Sequence, residues 1–216
     1  MKPLAKKLIL FIAACTCLVS FFVLWTLIFP SNILSTNIEN LIRKELICID
    51  PLPFATTVDA IYILAGSQSS LKLKFKTAAT FYQDGISKKI LVLHRAGITE
   101  YSPDLQRNLT NDEWSILQLK RFGVPKQNIE PISIREGFFG TLSEAKGISK
   151  LITERRYRSL ILISSPEHTD RVKISFENLL QHNNIKVYVQ SSDERVSLIQ
   201  LLIELIKLKI YEYFLV

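Results

Sequence analysis

A cluster of polar residues near position 168 has the side chains that an anion site needs. Residues 160–163 form a short apolar run that predicts a buried parallel strand, and Ser165, His168 and Arg171 follow it. Apolar residues at helical spacing come next and predict a helix, on whose first turn His168 and Arg171 would share one face. Turns of this kind join the carboxyl end of a strand to free N–H groups of a helix. The pattern therefore predicts an anion or phosphate site, although it would also suit a capped surface helix with a solvated histidine and arginine.

The chemistry expected of such a site follows from the residue types. The guanidinium of Arg171 offers a planar fork of donors that would clamp the anion. His168 is a candidate general acid or base, because imidazole changes charge near neutral pH. Glu136 or Glu113 would orient His168 or serve as the base.

Five apolar runs supply the strands that would position these groups. Strands are predicted at 58–65, 90–93, 129–134, 160–163 and 185–189, with helices at 71–82, 113–122, 141–156, 172–180 and 196–216. The alternation predicts an α/β fold, a Rossmann-like parallel sheet with helices on both faces. Pro131 makes the third strand either short or an edge strand.

The turns after the other strands would meet the His168 turn at one edge of the sheet. Gly66 and Ser67 follow the first strand, and His94 and Arg95 follow the second, so all four are candidate ligand-binding residues with Ser165 and Arg171. Gly66 belongs to neither a GxGxxG fingerprint nor a Walker A loop. Residues 98–111 are long and polar and predict a lid or an Ω-type loop, with Asn111 and Asp112 capping the next helix.

Thr141 is a further candidate ligand-binding residue, and it begins a predicted helix. Thr141 and Glu144 have capping-box spacing, which by itself would explain both residues structurally.

The N-terminal segment predicts a membrane anchor. Residues 8–29 contain no charge and match the roughly 20 residues of a spanning helix. Lys2, Lys6 and Lys7 precede them and predict a single span with the N-terminus in the cytoplasm and the domain outside the plasma (inner) membrane. We therefore expect a tail and anchor at 1–30, a connector at 31–56 and an α/β domain at 57–216.

Two alternatives to the anchor, a cleaved signal peptide and a lipoprotein, fit the residues less well. The sequence Phe29-Pro30-Ser31 is a poor signal-peptidase site. A lipoprotein cleaved before Cys15 would normally turn polar soon afterwards, whereas here the apolar run continues.

Composition limits the classes of partner. The 216 residues carry a formal net charge of +7, but part of that excess precedes the apolar segment, so the rest of the chain is only mildly basic. This argues against nucleic acid and suits anionic substrates or lipid. The three cysteines have no disulfide or metal spacing, and the three histidines are spread along the chain, so no metal site is expected.

Several motifs in order resemble the YdcF/SanA/ElyC family of bacterial envelope-associated domains. They include Asp59-Ala60-Ile61 leading to Leu64-Ala65-Gly66, then Gly123-Val124-Pro125, and finally Ser165-x-x-His168-x-x-Arg171. The resemblance covers about residues 57–190, and Glu113 and Glu136 also match the family's pattern. The sequence departs from the family at His94-Arg95, where Ser-Gly-Gly is usual, and at Ser143-Glu144, where Glu-Asn is usual.

The resemblance implies a role in cell-envelope or peptidoglycan-precursor homeostasis, on lipid-carrier intermediates or another anionic ligand. S-adenosylmethionine, a nucleotide-like ligand, is associated with one branch, and we do not carry it over, so the cofactor is unknown. The other hypothesis is a non-catalytic module that recruits envelope-synthesis partners through residues 98–110 and the apolar C-terminal helix. A serine hydrolase is disfavoured because the chain has no Gly-x-Ser-x-Gly elbow.

Overall fold

Most of the described residues belong to the α/β domain and to the helix that precedes it. The computed structural model describes residues 32–135, 137, 140–180 and 184–215, with residues 13, 14, 16–21 and 24. Most of the predicted membrane segment 8–29, and Glu136, lie outside these residues. Among those described, no helix has both the length and the apolar character to cross a membrane.

From residue 32 onwards, the described residues form seven strands and six α-helices. The strands are β1 (Ala60–Ile63), β2 (Ile90–Leu93), β3 (Ile98–Ser102), β4 (Arg107–Thr110), β5 (Ile129–Ile132), β6 (Ser159–Ser164) and β7 (Lys186–Ser191). The helices are α1 (Asn32–Leu46), α2 (Gln68–Gln83), α3 (Asn111–Arg121), α4 (Gly140–Glu154), α5 (Thr169–Leu180) and α6 (Leu198–Ile210). A 3-10 turn, Pro166–His168, precedes α5, and a π-helical turn, Tyr211–Leu215, follows α6.

The main sheet is parallel and has the strand order β5-β2-β1-β6-β7. The chain therefore moves outwards from β1 to β5 and then returns to place β6 beside β1. This is a doubly wound, Rossmann-like arrangement, and it confirms the predicted α/β sheet. β5, which contains Pro131, lies at the edge, where a residue without an N–H is tolerated.

Helices cover both faces of this sheet, as predicted. On one face, Phe75 of α2 and Trp114 of α3 pack against Ile61 and Ile163 of the central strands. On the other, α4 and α5 cover the face that carries Tyr62. Alternate residues of each central strand point to opposite faces, so strands buried on both sides must be apolar throughout.

Helices α1 and α6 form a third layer outside α5. Ile42 and Leu46 of α1 pack against Leu201 and Leu208 of α6, and Ile174 of α5 contacts this cluster. The connector therefore contains a helix, α1, that packs on the domain, and the C-terminal helix also packs on the protein.

Three sequence predictions about local structure were wrong. Residues 98–110 form the antiparallel hairpin β3–β4 rather than a lid or Ω loop. The residues of β3 that favour strands, such as Ile98 and Tyr101, pair within the hairpin and not with the main sheet. Thr110, not Asn111 or Asp112, caps α3, in a capping box with Glu113. α6 begins at Leu198 instead of 196, and Ser197 caps it in a box with Gln200.

Candidate functional site

A cavity of about 340 Å³ opens at the carboxyl ends of β1, β2 and β6. It lies where β6 returns beside β1, which is the switch point of the sheet and the usual ligand position in open parallel sheets. The segment after β1, the start of α4 and the first turn of α5 form its walls. The cavity is lined by five of the residues predicted for the site, Gly66, Arg95, Thr141, His168 and Arg171.

Arg171 and His168 meet at a buried carboxylate that sequence analysis did not assign to the site. Nη2 of Arg171 donates to Oε2 of Glu204 at 2.8 Å, and Nδ1 of His168 lies 2.7 Å from the same oxygen. Nη2 and Nδ1 are also 2.8 Å apart. One ring nitrogen cannot donate to Glu204 and accept from Arg171 at once, and the carboxylate is the stronger acceptor, so we assign the Nδ1 proton to the His168–Glu204 bond.

Its cationic neighbours keep Glu204 ionised. Burial alone would favour the neutral acid, since only 4% of the residue is exposed. The hydrogen bond from His168 and the charges of His168 and Arg171 outweigh burial and lower the pKa of Glu204 to about 2. Lys207, one turn further along α6, also donates to this carboxylate. Glu204 thus neutralises part of the positive charge behind the cavity and fixes the orientation of two of its groups.

Arg171 is held from two other directions as well. Nη1 donates to the hydroxyl of Thr141 at the start of α4, and the ring of Tyr211 lies 5.2 Å from the guanidinium carbon. Nε is buried and has no hydrogen-bond partner among the described residues. The guanidinium is therefore oriented before any ligand arrives, and such preorganisation lowers the entropic cost of binding.

The floor of the cavity carries a second buried carboxyl, Glu144 of α4. Its Oε1 accepts from the hydroxyl of Tyr62 and, at 3.0 Å, from the N–H of Ala65. Burial raises the pKa of Glu144 in spite of these two hydrogen bonds. Burial, followed by the charge of Glu144, also raises the pKa of Tyr62.

This arrangement corrects the predicted capping box. α4 begins at Gly140, so Thr141 lies inside the helix and its hydroxyl binds Arg171. The carboxyl of Glu144 accepts hydrogen bonds from Tyr62 and Ala65 and does not cap the helix. Spacing alone could not separate a capping glutamate from one that points into a cavity.

Two further cations lie near the turn after β1. Arg95 is exposed at the rim and donates to the carbonyl of Gly66 at 3.2 Å. Lys74 is 1% exposed, and its ammonium donates to the carbonyl of Ala65 at 2.9 Å. Burial lowers the pKa of Lys74, although the charges of Glu194, Glu144 and Glu167 act in the opposite direction. The two side chains make the end of β1 electropositive.

Four residues predicted for the site are not among those that line the cavity. Ser165 is buried and bonds to Ser70 at 3.0 Å and to Glu194. Ser67 caps α2 through the N–H of Ser70. These serines therefore have structural partners on the α2 side of the turn.

His94 and Glu113 lie beside the hairpin. Nδ1 of His94 is 2.5 Å from a carboxylate oxygen of Asp112, and the imidazole is half exposed. Glu113 caps α3 and pairs with Arg107, whose hydrogen bond lowers the pKa of Glu113 to about 2. A carboxylate committed to two such partners is a poor candidate for a general base. Glu136, the other predicted base, lies outside the described residues.

Glu144 and Glu204 are the site residues that sequence analysis missed. Glu204 carried a usable signal, because it is the one acidic residue of α6, whose first two turns are otherwise almost entirely apolar. Such a carboxylate must find a cation in the interior or face solvent. Glu144 carried none, since its capping-box spacing already explained it. No group of three metal-ligating side chains occurs in the part of the chain that the structure describes.

Comparison with known proteins gives little information about this chain. No family model matches it, and no curated protein does. A solved structure from the universal stress protein family of Burkholderia pseudomallei is similar over 64% of this chain and 98% of its own, with 15% identity and a TM-score of 0.37. So distant a likeness carries no functional argument, and the fold description depends on the strand pairing itself.

Proposed function

We propose that this chain is a membrane-anchored cell-envelope protein whose α/β domain binds or processes an anionic ligand that is phosphate-bearing or nucleotide-like. One observation carries the proposal: Arg95, His168, Arg171 and the N-terminal turn of α4 converge on one cavity at the switch point of the sheet. Two guanidinium groups, an imidazole and helix N–H groups favour an oxyanion over a neutral ligand.

The envelope part of the proposal depends on the sequence. The uncharged segment 8–29 and the basic residues before it favour a single span with the domain outside the cytoplasm. The resemblance to the YdcF/SanA/ElyC family favours a role in peptidoglycan-precursor homeostasis. An anionic, lipid-linked intermediate would be presented at the membrane surface, where an anchored domain could reach it.

The anion site is tested by titrating the full-length protein, in detergent, with inorganic phosphate and pyrophosphate. We expect Arg95→Gln to weaken binding by about tenfold, since it removes an exposed cation at the rim. Arg121→Gln is the matched control, because Arg121 lies at the end of α3, is exposed and does not line the cavity. Equal affinities for the wild type and Arg95→Gln, or no binding to the wild type, would contradict the proposal.

The recruitment module stays as a second candidate because of the hairpin. Ile98, Tyr101 and Leu105 expose 68%, 60% and 51% of their surfaces, which is unusual for three apolar side chains on so short a segment. A chain with Ile98→Ser and Tyr101→Ser would then lose crosslinked envelope partners and its envelope phenotype, while His168→Ala would behave as the wild type. The opposite pattern would favour the ligand-binding function.

A further inference from the structure

The two oxygens of the Glu144 carboxyl have different surroundings. Oε1 accepts both hydrogen bonds, from Tyr62 and from the N–H of Ala65. No described residue donates to Oε2, and Oε2 is not among their buried unpartnered atoms. Since Glu144 is 93% buried and lines the cavity, Oε2 is the atom through which it meets the cavity.

This oxygen faces the same space as the groups that would hold an anion. Arg171, His168 and Thr141 line the cavity on one side, and Arg95 lines it at the rim. An ionised carboxylate so close to a bound oxyanion would repel it. A proton shared between the carboxylate oxygen and the oxyanion oxygen replaces this repulsion with an O–H···O⁻ hydrogen bond, which is among the strongest in proteins.

We propose that Glu144 binds a tetrahedral oxyanion by sharing one proton with it, so that the cavity selects oxyanions that still carry a proton, such as hydrogen phosphate, over fully ionised ones such as sulfate. The inference rests on the proposed anion site and names its ligand class. The ionised Glu144 carboxylate accepts the O–H of a singly protonated phosphate. For sulfate, which brings no proton near neutral pH, Glu144 must first take a proton from solvent.

The charged neighbours of Glu144 set the pH range of this effect. Tyr62 of β1 donates to its carboxyl, and the charges of Lys74 on α2 and Arg95 after β2 act on it. His168 and Arg171, from the α5 side, line the same cavity. Burial raises the pKa of the carboxyl, and the nearby cations oppose the rise. His168 lines the same cavity, so it acts on every bound anion alike, in the wild type and in a variant at position 144. The contribution of Glu144 to the pH dependence of binding is therefore measured as the difference between the wild type and a variant changed only at Glu144.

Glu144→Gln is the variant that isolates the proton. The amide oxygen can still accept from Tyr62 and Ala65, while the NH₂ group replaces Oε2 with a permanent donor. As pH rises, the affinity of the full-length wild type for sulfate should fall more steeply than that of Glu144→Gln. The additional fall should be about tenfold per pH unit once the carboxyl is ionised. At pH 8 the wild type should prefer phosphate to sulfate, and Glu144→Gln should lose most of that preference and bind sulfate more tightly than the wild type.

Calorimetry in two buffers of different ionisation enthalpy gives a second test on the wild type alone. Sulfate binding at pH 8 should take up about one proton more than phosphate binding. Parallel pH slopes for the wild type and Glu144→Gln, or equal proton uptake for the two anions, would overturn the inference while leaving the anion site intact. Failure of the wild type to bind either anion would overturn the proposed function together with the inference.

Discussion

At the scale of single residues, the site depends on two carboxyl groups in opposite electrostatic environments. Glu204 lies behind Arg171 and His168, and its cationic neighbours keep it ionised. Glu144 lies on the cavity floor, where burial favours its neutral form. One carboxylate therefore orients the cationic groups, and the other is available to exchange a proton.

Removing one partner of the Arg171–Glu204 pair should destabilise the protein more than removing both. Arg171→Met leaves a buried carboxylate with only His168 and Lys207, and we expect a loss of about 3 kcal/mol in the free energy of unfolding. Adding Glu204→Gln should recover most of that loss. Urea denaturation of both variants measures the difference, and a double variant less stable than the single one would contradict the assignment.

The two carboxyl groups should also give opposite dependences of stability on pH. The pKa of Glu204 is lowered to about 2 in the folded state, so its stabilisation is present above pH 4.5 and is lost as pH falls through 2. Between pH 5 and 2 the wild type should lose on the order of 2 kcal/mol more than Glu204→Gln.

For Glu144 the sign is reversed, because its pKa is raised on folding. Its contribution is most favourable below pH 4.5 and declines as pH rises through the folded-state pKa. Glu144→Gln should therefore gain stability relative to the wild type between pH 5 and pH 8. Thermal unfolding across this range measures the gain, and a constant difference would show that Glu144 does not titrate abnormally.

At the scale of elements, the cavity depends on how closely α4 approaches the strand before it. A Cβ atom at Gly147 would lie 2.7 Å from Cβ of Ile134, and Ile134 lines the cavity. A glycine at this position therefore lets the helix and the chain after β5 come into contact. Gly140, at the start of the same helix, has open space around it.

Alanine at these two glycines should have different effects. Gly147→Ala should cost about 1 to 3 kcal/mol through overpacking, despite the better helix propensity of alanine. Gly140→Ala should change stability by less than about 1 kcal/mol. Chemical denaturation provides the comparison, and equal effects would mean that α4 does not approach Ile134 so closely.

α6 gives a second element-scale prediction, because it contributes Glu204 to the site. Ser197→Ala removes its capping box and should lower stability by about 1 kcal/mol without changing phosphate affinity. Glu204→Gln in the same helix should change phosphate affinity, since Arg171 and His168 lose their orienting carboxylate. If both variants alter binding equally, α6 acts through general stability alone.

At the scale of the whole molecule, α1 and α6 connect the site to the end of the chain that carries the predicted anchor. α1 packs on α6, and α6 places Glu204 beside Arg171. The start of α1 lies three residues after the apolar segment 8–29. The site is therefore connected to α1, the helix that follows the predicted membrane anchor, through the packing of α1 on α6 and the contact of Glu204 with Arg171.

The predicted topology can be measured on the full-length protein with reporters fused after residue 216. Alkaline phosphatase, which is active only outside the cytoplasm, should be active there, and a cytoplasm-dependent fluorescent protein should be dark. Replacing Lys2, Lys6 and Lys7 with glutamine should weaken this bias. A bright fluorescent fusion to the unaltered chain would contradict the proposed orientation.

The sequence by itself determined the parallel α/β fold, because strands buried on both faces must be continuously apolar and amphipathic helices must alternate with them. It also identified Arg171 and His168 as a pair, since their spacing on one helical turn is a local property. Pro131 marked the edge strand for an equally local reason, the missing N–H.

Only the tertiary structure decided which distant groups meet that pair. Glu204 lies 33 residues after Arg171, and Glu144 reaches Tyr62 across 82 residues. The order of the strands sets these contacts, because returning β6 to the side of β1 brings α4, α5 and α6 around one cavity. Capping boxes and ion pairs use the same residue types as binding sites, so Glu113 and Glu144 could be told apart only by what their carboxyl groups contact.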